Sequence, residues 1–174
     1  MLDYVNRVMN RVAPYVYHVR DEFKTSSGYT REEEDASARI KQFWADDSIP
    51  ISEKLQGLDF DLSRFDGKNI TNRELLEVAK ALLNAGLIDM DGLMVFTYPG
   101  REFNTQGTQI NRDTKIDAFA QIQKQLDSIN RMIDGGYVVA KDMIPKQNFA
   151  LTVLKGLQEH SLMTTKKHWV NVRV

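Results

Sequence analysis

The chain has 174 residues, 42% of them hydrophobic and 27% charged, enough for one good core or two small lobes of an ordinary globular protein. Formal net charge is −1; residues 51–110 carry nine acids and six bases, and residues 111–174 six acids and ten bases, a surplus too diffuse for a strong nucleic-acid binder. The absence of cysteine excludes disulfides, thiol catalysis, thiolate zinc sites and iron–sulfur clusters.

No apolar run approaches the length needed to cross a bilayer, and Met1-Leu2-Asp3-Tyr4 has neither a basic n-region nor an apolar h-region. The cytoplasm is therefore the expected compartment, export without a cleaved signal aside. Residues 2–24 place Leu2, Val5, Met9, Val12, Val16, Val19 and Phe23 at spacings of three and four, a helical seam interrupted by Pro14. Thr30-Arg31-Glu32-Glu33 is a capping box, with three glutamates in the first turn where the helix dipole favours acids. It predicts a helix to about Ala45 that buries Ala36, Ile40, Phe43 and Trp44. Pro50 marks a loop, residues 51–58 read as a short helix, and Asp59 to Phe65 reads as extended or turn-like before the Asp66-Gly67 turn.

The strongest local signal follows. Thr71 and Glu74 form a second capping box, Ile70 and Leu75 occupy the positions of a hydrophobic staple, and Gly86-Leu87 supplies a helix stop. Leu75, Leu76, Val78, Ala79, Leu82 and Leu83 form a broad apolar face between them, so a helix is expected over about 72–85. Asp89 to Gly92 reads as a turn, and Leu93-Met94-Val95-Phe96-Thr97-Tyr98 as a strand by its β-branched and aromatic content. Residues 99–112 are polar and loop-like. A helix over 113–134 is marked by Phe119, Ile122, Leu126, Ile129 and Ile133 and ended by Gly135-Gly136. Pro145 opens or kinks a last helix over about 146–160, burying Phe149, Val153, Leu154 and Leu157. The tail from Trp169 to Val174 alternates at period two and is expected to pair with 93–98.

Chemistry-bearing patterns are sparse. Asp59, Asp61, Ser63 and Asp66-Gly67 ahead of Glu74 have the oxygen donors of a calcium loop, but the register fails. In the EF-hand pattern the bidentate Glu lies six residues after the Gly, and Glu74 lies seven after Gly67. A solvated turn is the better reading. His18, His160 and His168 lack metal-ligand spacing; His18 reads as a helix-boundary residue and His160 as closing the last helix, with His168 in the basic tail. No dinucleotide, P-loop or nucleophile-elbow motif is present. Asn69-Ile70-Thr71 matches a glycosylation sequon by coincidence, given no secretory signal.

The helix ending in Gly86-Leu87-Ile88, with a turn and a β run after it, resembles the second half of a winged-helix domain over residues 70–98. The resemblance implies a recognition helix followed by a β wing. Glu74 and Glu77 stand on that helix against Arg73 and Lys80, a poor face for lying among phosphates. Lys166-Lys167-His168-Trp169 joins bases to an aromatic, suited to nucleic acid or an acidic partner, or simply to a guarded edge strand. Candidate contact residues are therefore Arg73, Lys80, Lys166, Lys167, Trp169 and Arg173.

These features predict a mainly α protein: a helical bundle with a small β element, strands near 93–98 and 168–174, and a winged-helix-like middle segment. It is organised either as one domain or as lobes 1–98 and 111–174 joined by loop 99–112. The expected core includes Val12, Val16, Phe43, Leu76, Leu83, Phe119, Ile122, Leu126, Ile129, Val153 and Leu154. The expected function is non-enzymatic: an adaptor, regulator or assembly factor binding another protein or itself through amphipathic helices, with no cofactor or metal. A winged-helix nucleic-acid binder ranks second, and an enzyme with dispersed polar residues third.

Overall fold

The computed structural model describes residues 31–98 and 100–171, and the side chains of 35–98 and 100–165. The expected seam over residues 2–24, with Val12, Val16 and His18, lies outside the described residues. From Ala36 onward the chain forms one compact unit. Its helices are α1 (Arg31–Ala45), α2 (Ile51–Lys54), α3 (Asn72–Asn84), α4 (Met90–Thr97), α5 (Ala118–Asp134) and α6 (Ile144–Asn171), with a 3-10 helix over Val138–Met143. Two short strands, β1 (Ile70–Thr71) and β2 (Lys115–Ile116), pair antiparallel with Ile70 opposite Ile116 and Thr71 opposite Lys115. The molecule is mainly α with a small β element.

The middle of the chain is built by its caps. Thr71 Oγ1 accepts from the Glu74 backbone N–H at 3.1 Å, and Glu74 Oε2 accepts from the Thr71 N–H at 2.8 Å, closing the capping box of α3. Ile70 and Leu75 are both buried, as a staple requires. At the far end Gly86 has φ 69°, and Leu87 N–H reaches back to Leu82 O at 2.8 Å, the left-handed helix stop. A helix of this length is marginal alone in water. It is held by Leu75, Val78, Ala79 and Leu82, buried against the rest of the core.

The run Leu93 to Tyr98 is not a strand. Asp89 caps a helix there, its Oδ1 accepting from Gly92 N–H at 2.7 Å while its other oxygen accepts from Ser37 Oγ. Buried positions Gly92, Phe96 and Thr97 recur at helical spacing, and Thr97 Oγ1 donates to Leu93 O one turn back. Packing on α3 and α6 overrides the β preference of the side chains. The β wing expected over 93–98 is therefore absent from that place. A hairpin follows α4 instead: Phe103 bridges Gln109, Asn104 N–H donates to Thr108 O, and Ile110 N–H to Glu102 O.

α5 starts at Ala118 rather than near 113, because Lys115–Ile116 is drawn into the sheet and Asp117 caps the helix by accepting from Ala120 N–H at 2.9 Å. The last helix is the longest, not 146–160 but Ile144–Asn171. No proline or glycine follows Gly156, and a propagating helix passes through the short alternating run. The strand expected over 168–174 is thus helical through Asn171, and residues 172–174 lie outside the described residues. His160 sits inside α6 and does not close it.

α6 runs through the core, with Ala150, Val153, Leu154 and Leu157 fully buried. Trp44, Leu82, Phe96 and Ile122 converge on the same cluster. Leu83, Phe43 and Phe119, expected in the core, are partly buried against it, Leu76 and Leu126 are partly buried away from it, and Ala36 is exposed. On α3 the buried stripe is rotated to Leu75, Val78, Ala79 and Leu82. Gly67 is pinned between layers, its N–H donating to Gln158 Oε1 at 2.9 Å and its carbonyl accepting from Ala118 N–H.

The carboxylate of Glu74 has a pKa below its ordinary value, first because the Thr71 backbone N–H binds its charged form, then because the Thr71 hydroxyl does. A depressed native pKa adds stability above the unfolded value of 4.5, and that stability is lost as pH falls through the native pKa. Glu74→Ala is expected to lower Tm by a few degrees at neutral pH. The gap between the two proteins should close progressively in thermal melts below pH 4.5; a gap that stays constant into acid would exclude the linkage.

Candidate functional site

The predicted cationic contacts do not gather into one site. Arg73 lies in the first turn of α3 and makes a two-pronged ion pair with Asp113, at 2.7 and 2.9 Å. That pairing raises its pKa. Lys80, two turns on, pairs with Glu77 at 3.0 Å. Both pairs are solvent-exposed, so each contributes little to stability but does neutralise the charge that phosphates would read. Lys166, Lys167 and Trp169 fall on the last turns of α6, where the backbone is helical, and their side chains lie outside the described residues; so does Arg173. The donors that resembled a calcium loop are turn caps: Asp61 Oδ1 accepts from Ser63 N–H, and Asp66 Oδ1 from Lys68 N–H.

What α3 and α4 do form is a helix–turn–helix pair around the Gly86 turn, with a hairpin after the second helix. The helix in front of the hairpin is α4, one helix later than the sequence resemblance places it. Its inner face is set by Gly92 and Phe96. A Cβ at Gly92 would meet Ile88 Cβ at 3.0 Å and Asp89 Oδ1 at 3.3 Å, so the missing side chain lets the start of α4 fold tightly onto the turn before it, while Phe149 of α6 would lie in ordinary contact at 3.5 Å. An ion pair at 2.6 Å between Asp91 and Lys146 ties the starts of the two helices together.

The outer face of α4 is apolar. Met90 and Met94 are each 54% exposed and Tyr98 is 63% exposed, and the three stand one turn apart in a row. The hairpin beyond carries two more exposed apolar side chains, Phe103 and Ile110. Single exposed hydrophobics are ordinary, whereas a row on one helix face is a candidate contact surface. No family model, curated protein or solved structure matches this chain. Tyr137, Val138 and Val139 at the 3-10 helix are exposed as well, but the α4 side chains stand in a row along one face of a regular helix.

The hairpin root is ordered by a polar hub. Buried Asn111 donates from Nδ2 to Gly100 O at 2.6 Å and accepts at Oδ1 from Glu102 N–H at 3.0 Å. Its carbonyl accepts from Asn72 Nδ2 at 3.0 Å, and the next carbonyl, of Arg112, accepts from Arg73 N–H at 3.0 Å. Arg101 is the tense member of this region: Nε and Nη2 are shielded from solvent without a hydrogen-bond partner. Burial first, and the Arg112 guanidinium second, lower its pKa. Among the described residues no cluster of three histidines or carboxylates could hold a metal ion, and no helix is long and apolar enough to cross a membrane.

Sequence reasoning missed α4, the hub and the Asp89 cap. The cap had a usable signal, Asp89, a favoured N-cap residue one turn ahead of the apolar run that starts at Leu93. The hub did not, because Asn72 and Asn111 meet only after the chain has folded back.

Proposed function

We propose that the protein is a non-enzymatic binding protein, in the class of adaptors, regulators or assembly factors, and that it holds another protein on the outer face of α4. The row of Met90, Met94 and Tyr98 supports this reading. Methionine and tyrosine are enriched at protein interfaces, and methionine adapts its shape to a partner's surface. The absence of bases from that face argues against a helix that reads DNA, although the order helix, turn, helix, hairpin favours that alternative.

A double substitution Met90→Glu/Met94→Glu tests the proposal. It changes two exposed positions and is expected to leave Tm nearly unchanged while weakening the partner by about 30-fold or more, the scale of interface hot spots. A photo-crosslinking residue at position 94 should capture that partner, and one at exposed Lys124 should not. Capture of a second copy would identify self-association. Tight, salt-sensitive binding to duplex DNA, unchanged in the double variant, would replace this reading with the nucleic-acid one.

A further inference from the structure

A second exposed apolar patch is built where α5 ends. Gly136, at φ 94°, turns the chain so that its N–H donates to Ile133 O and the Tyr137 N–H to Met132 O, each at 2.9 Å, the paired bonds of a Schellman stop. Such a stop sets the side chain that follows the turn against the one that opens the last helical turn, here Tyr137 against Met132. Neither is withdrawn from water, and Val138 and Val139 come directly after. Val139, at 68%, is the most exposed large hydrophobic among the described residues. In a 3-10 helix residues three apart eclipse, so Lys141 stands beyond Val138 and Asp142 beyond Val139. Arg131 and Asp134 flank the patch from the last turn of α5, and all four charged residues are exposed.

Asp134 is an acid at the C-terminal end of α5, where the free helix carbonyls disfavour negative charge. Among the described residues it has no ion-pair partner, Arg131 one turn back included, and Arg131, Lys141 and Asp142 have none either. The patch therefore joins an apolar centre to a rim of two bases and two acids left uncompensated within the fold. A rim of balanced charge selects neither a strongly acidic nor a strongly basic partner, but it can complement its own image. We infer that this face is an isologous interface, on which a second copy of this chain docks about a two-fold axis. The apolar centres meet, and the acids of each rim face the bases of the other. A formal net charge of −1 leaves little repulsion between the copies. The four apolar side chains are few beside the roughly 20–30 residues a side of a standard interface, so the dimer is expected to be weak, of micromolar order. It uses none of the α4 row, so either surface can fail without the other.

Sedimentation equilibrium of the full chain from about 1 to 500 µM is the test. The apparent mass is expected to rise toward that of a dimer across this range, and to do so equally in the Met90→Glu/Met94→Glu variant. Val139→Lys changes an exposed position and is expected to keep its Tm while weakening the dimer by about tenfold or more. Asp134→Lys and Lys141→Asp should each weaken it severalfold, because each unbalances the rim. An equimolar mixture of those two chains should associate more tightly than either alone, a pairing that apolar contact by itself would not produce. A monomer throughout the range, a mass that passes that of a dimer, an undiminished dimer in a folded Val139→Lys variant, loss of the dimer in the Met90→Glu/Met94→Glu variant, or no preference in the mixture would each overturn the inference.

Discussion

Phe96→Ala is expected to lower the unfolding free energy by about 3–5 kcal/mol, while Met94→Ala two residues away changes it by less than about 0.5 kcal/mol. Phe96 is 1% exposed and packs in the cluster shared by α3, α4 and α6, so truncation leaves a cavity that close-packed neighbours fill only in part. Met94 faces solvent. The contrast is diagnostic because it depends on the period of the segment. In a strand, residues 94, 96 and 98 would share a face and respond alike. In the helix, residues 92 and 96 face the core while 90, 94 and 98 face outward. Urea denaturation of the two variants measures the difference. Equal losses would remove α4 from the structure, and with it the contact row on which the proposed function stands. For a domain with a total stability of about 5–15 kcal/mol, the Phe96 variant would also sit close to the unfolding threshold.

The second large effect is expected at Gly156. Any side chain there would place its Cβ 2.5 Å from Ile51 Cδ1 and 2.7 Å from Trp44 Cζ3. The tip of Ile51 can swing aside, but the Trp44 ring cannot. It is buried, and its indole N–H is committed to Leu87 O at 2.7 Å. Gly156→Ala gains about 1 kcal/mol of helix propensity, which offsets part of the clash. Gly156→Val adds two further methyl groups and gains less propensity over glycine. Its expected cost is about 3 kcal/mol or more, at the upper end of overpacking effects. Asn148→Val, on the exposed face of the same helix, should cost well under 1 kcal/mol. Thermal and urea melts of the three variants would separate steric crowding from propensity; a stabilised Gly156→Val would show that Trp44 does not approach α6 this closely.

Legibility in the sequence followed the range of the interactions. The ends of α3 are written in adjacent residues: Thr71 and Glu74 bond each other, and Gly86 turns on its own backbone freedom, so its boundaries fell close to expectation. The helix ending at Gly135-Gly136 was clear for the same reason. The rotation of α3 about its axis was not, because six apolar residues cover so wide an arc that only the packed neighbours choose Leu75 over Leu76. The run 93–98 has strand-like composition and too few residues for its period to decide. What decides is the packing of this segment on α3 and on α6, the latter far away in the chain. The late start of α5 has a similar cause, since Lys115 and Ile116 look helical until Ile70 and Thr71 arrive to pair with them. The contact row was illegible for the same reason as α4 itself. Lys54 looks like any surface base in the sequence; only folding buries it and sets its ammonium on the carbonyl of Trp44 at the end of α1.

The hairpin between Glu102 and Ile110 has a practical consequence. Its tip, Thr105 to Gly107, is solvent-exposed, while both of its legs are fastened lower down through Asn111 to Gly100 and Asn72, and through Arg112 to Arg73. The chain on either side of the tip is therefore clamped independently of the tip itself. New termini, an epitope or a fluorophore placed there would inherit that clamp, which makes the tip the natural attachment point for a reporter that leaves the outer face of α4 untouched.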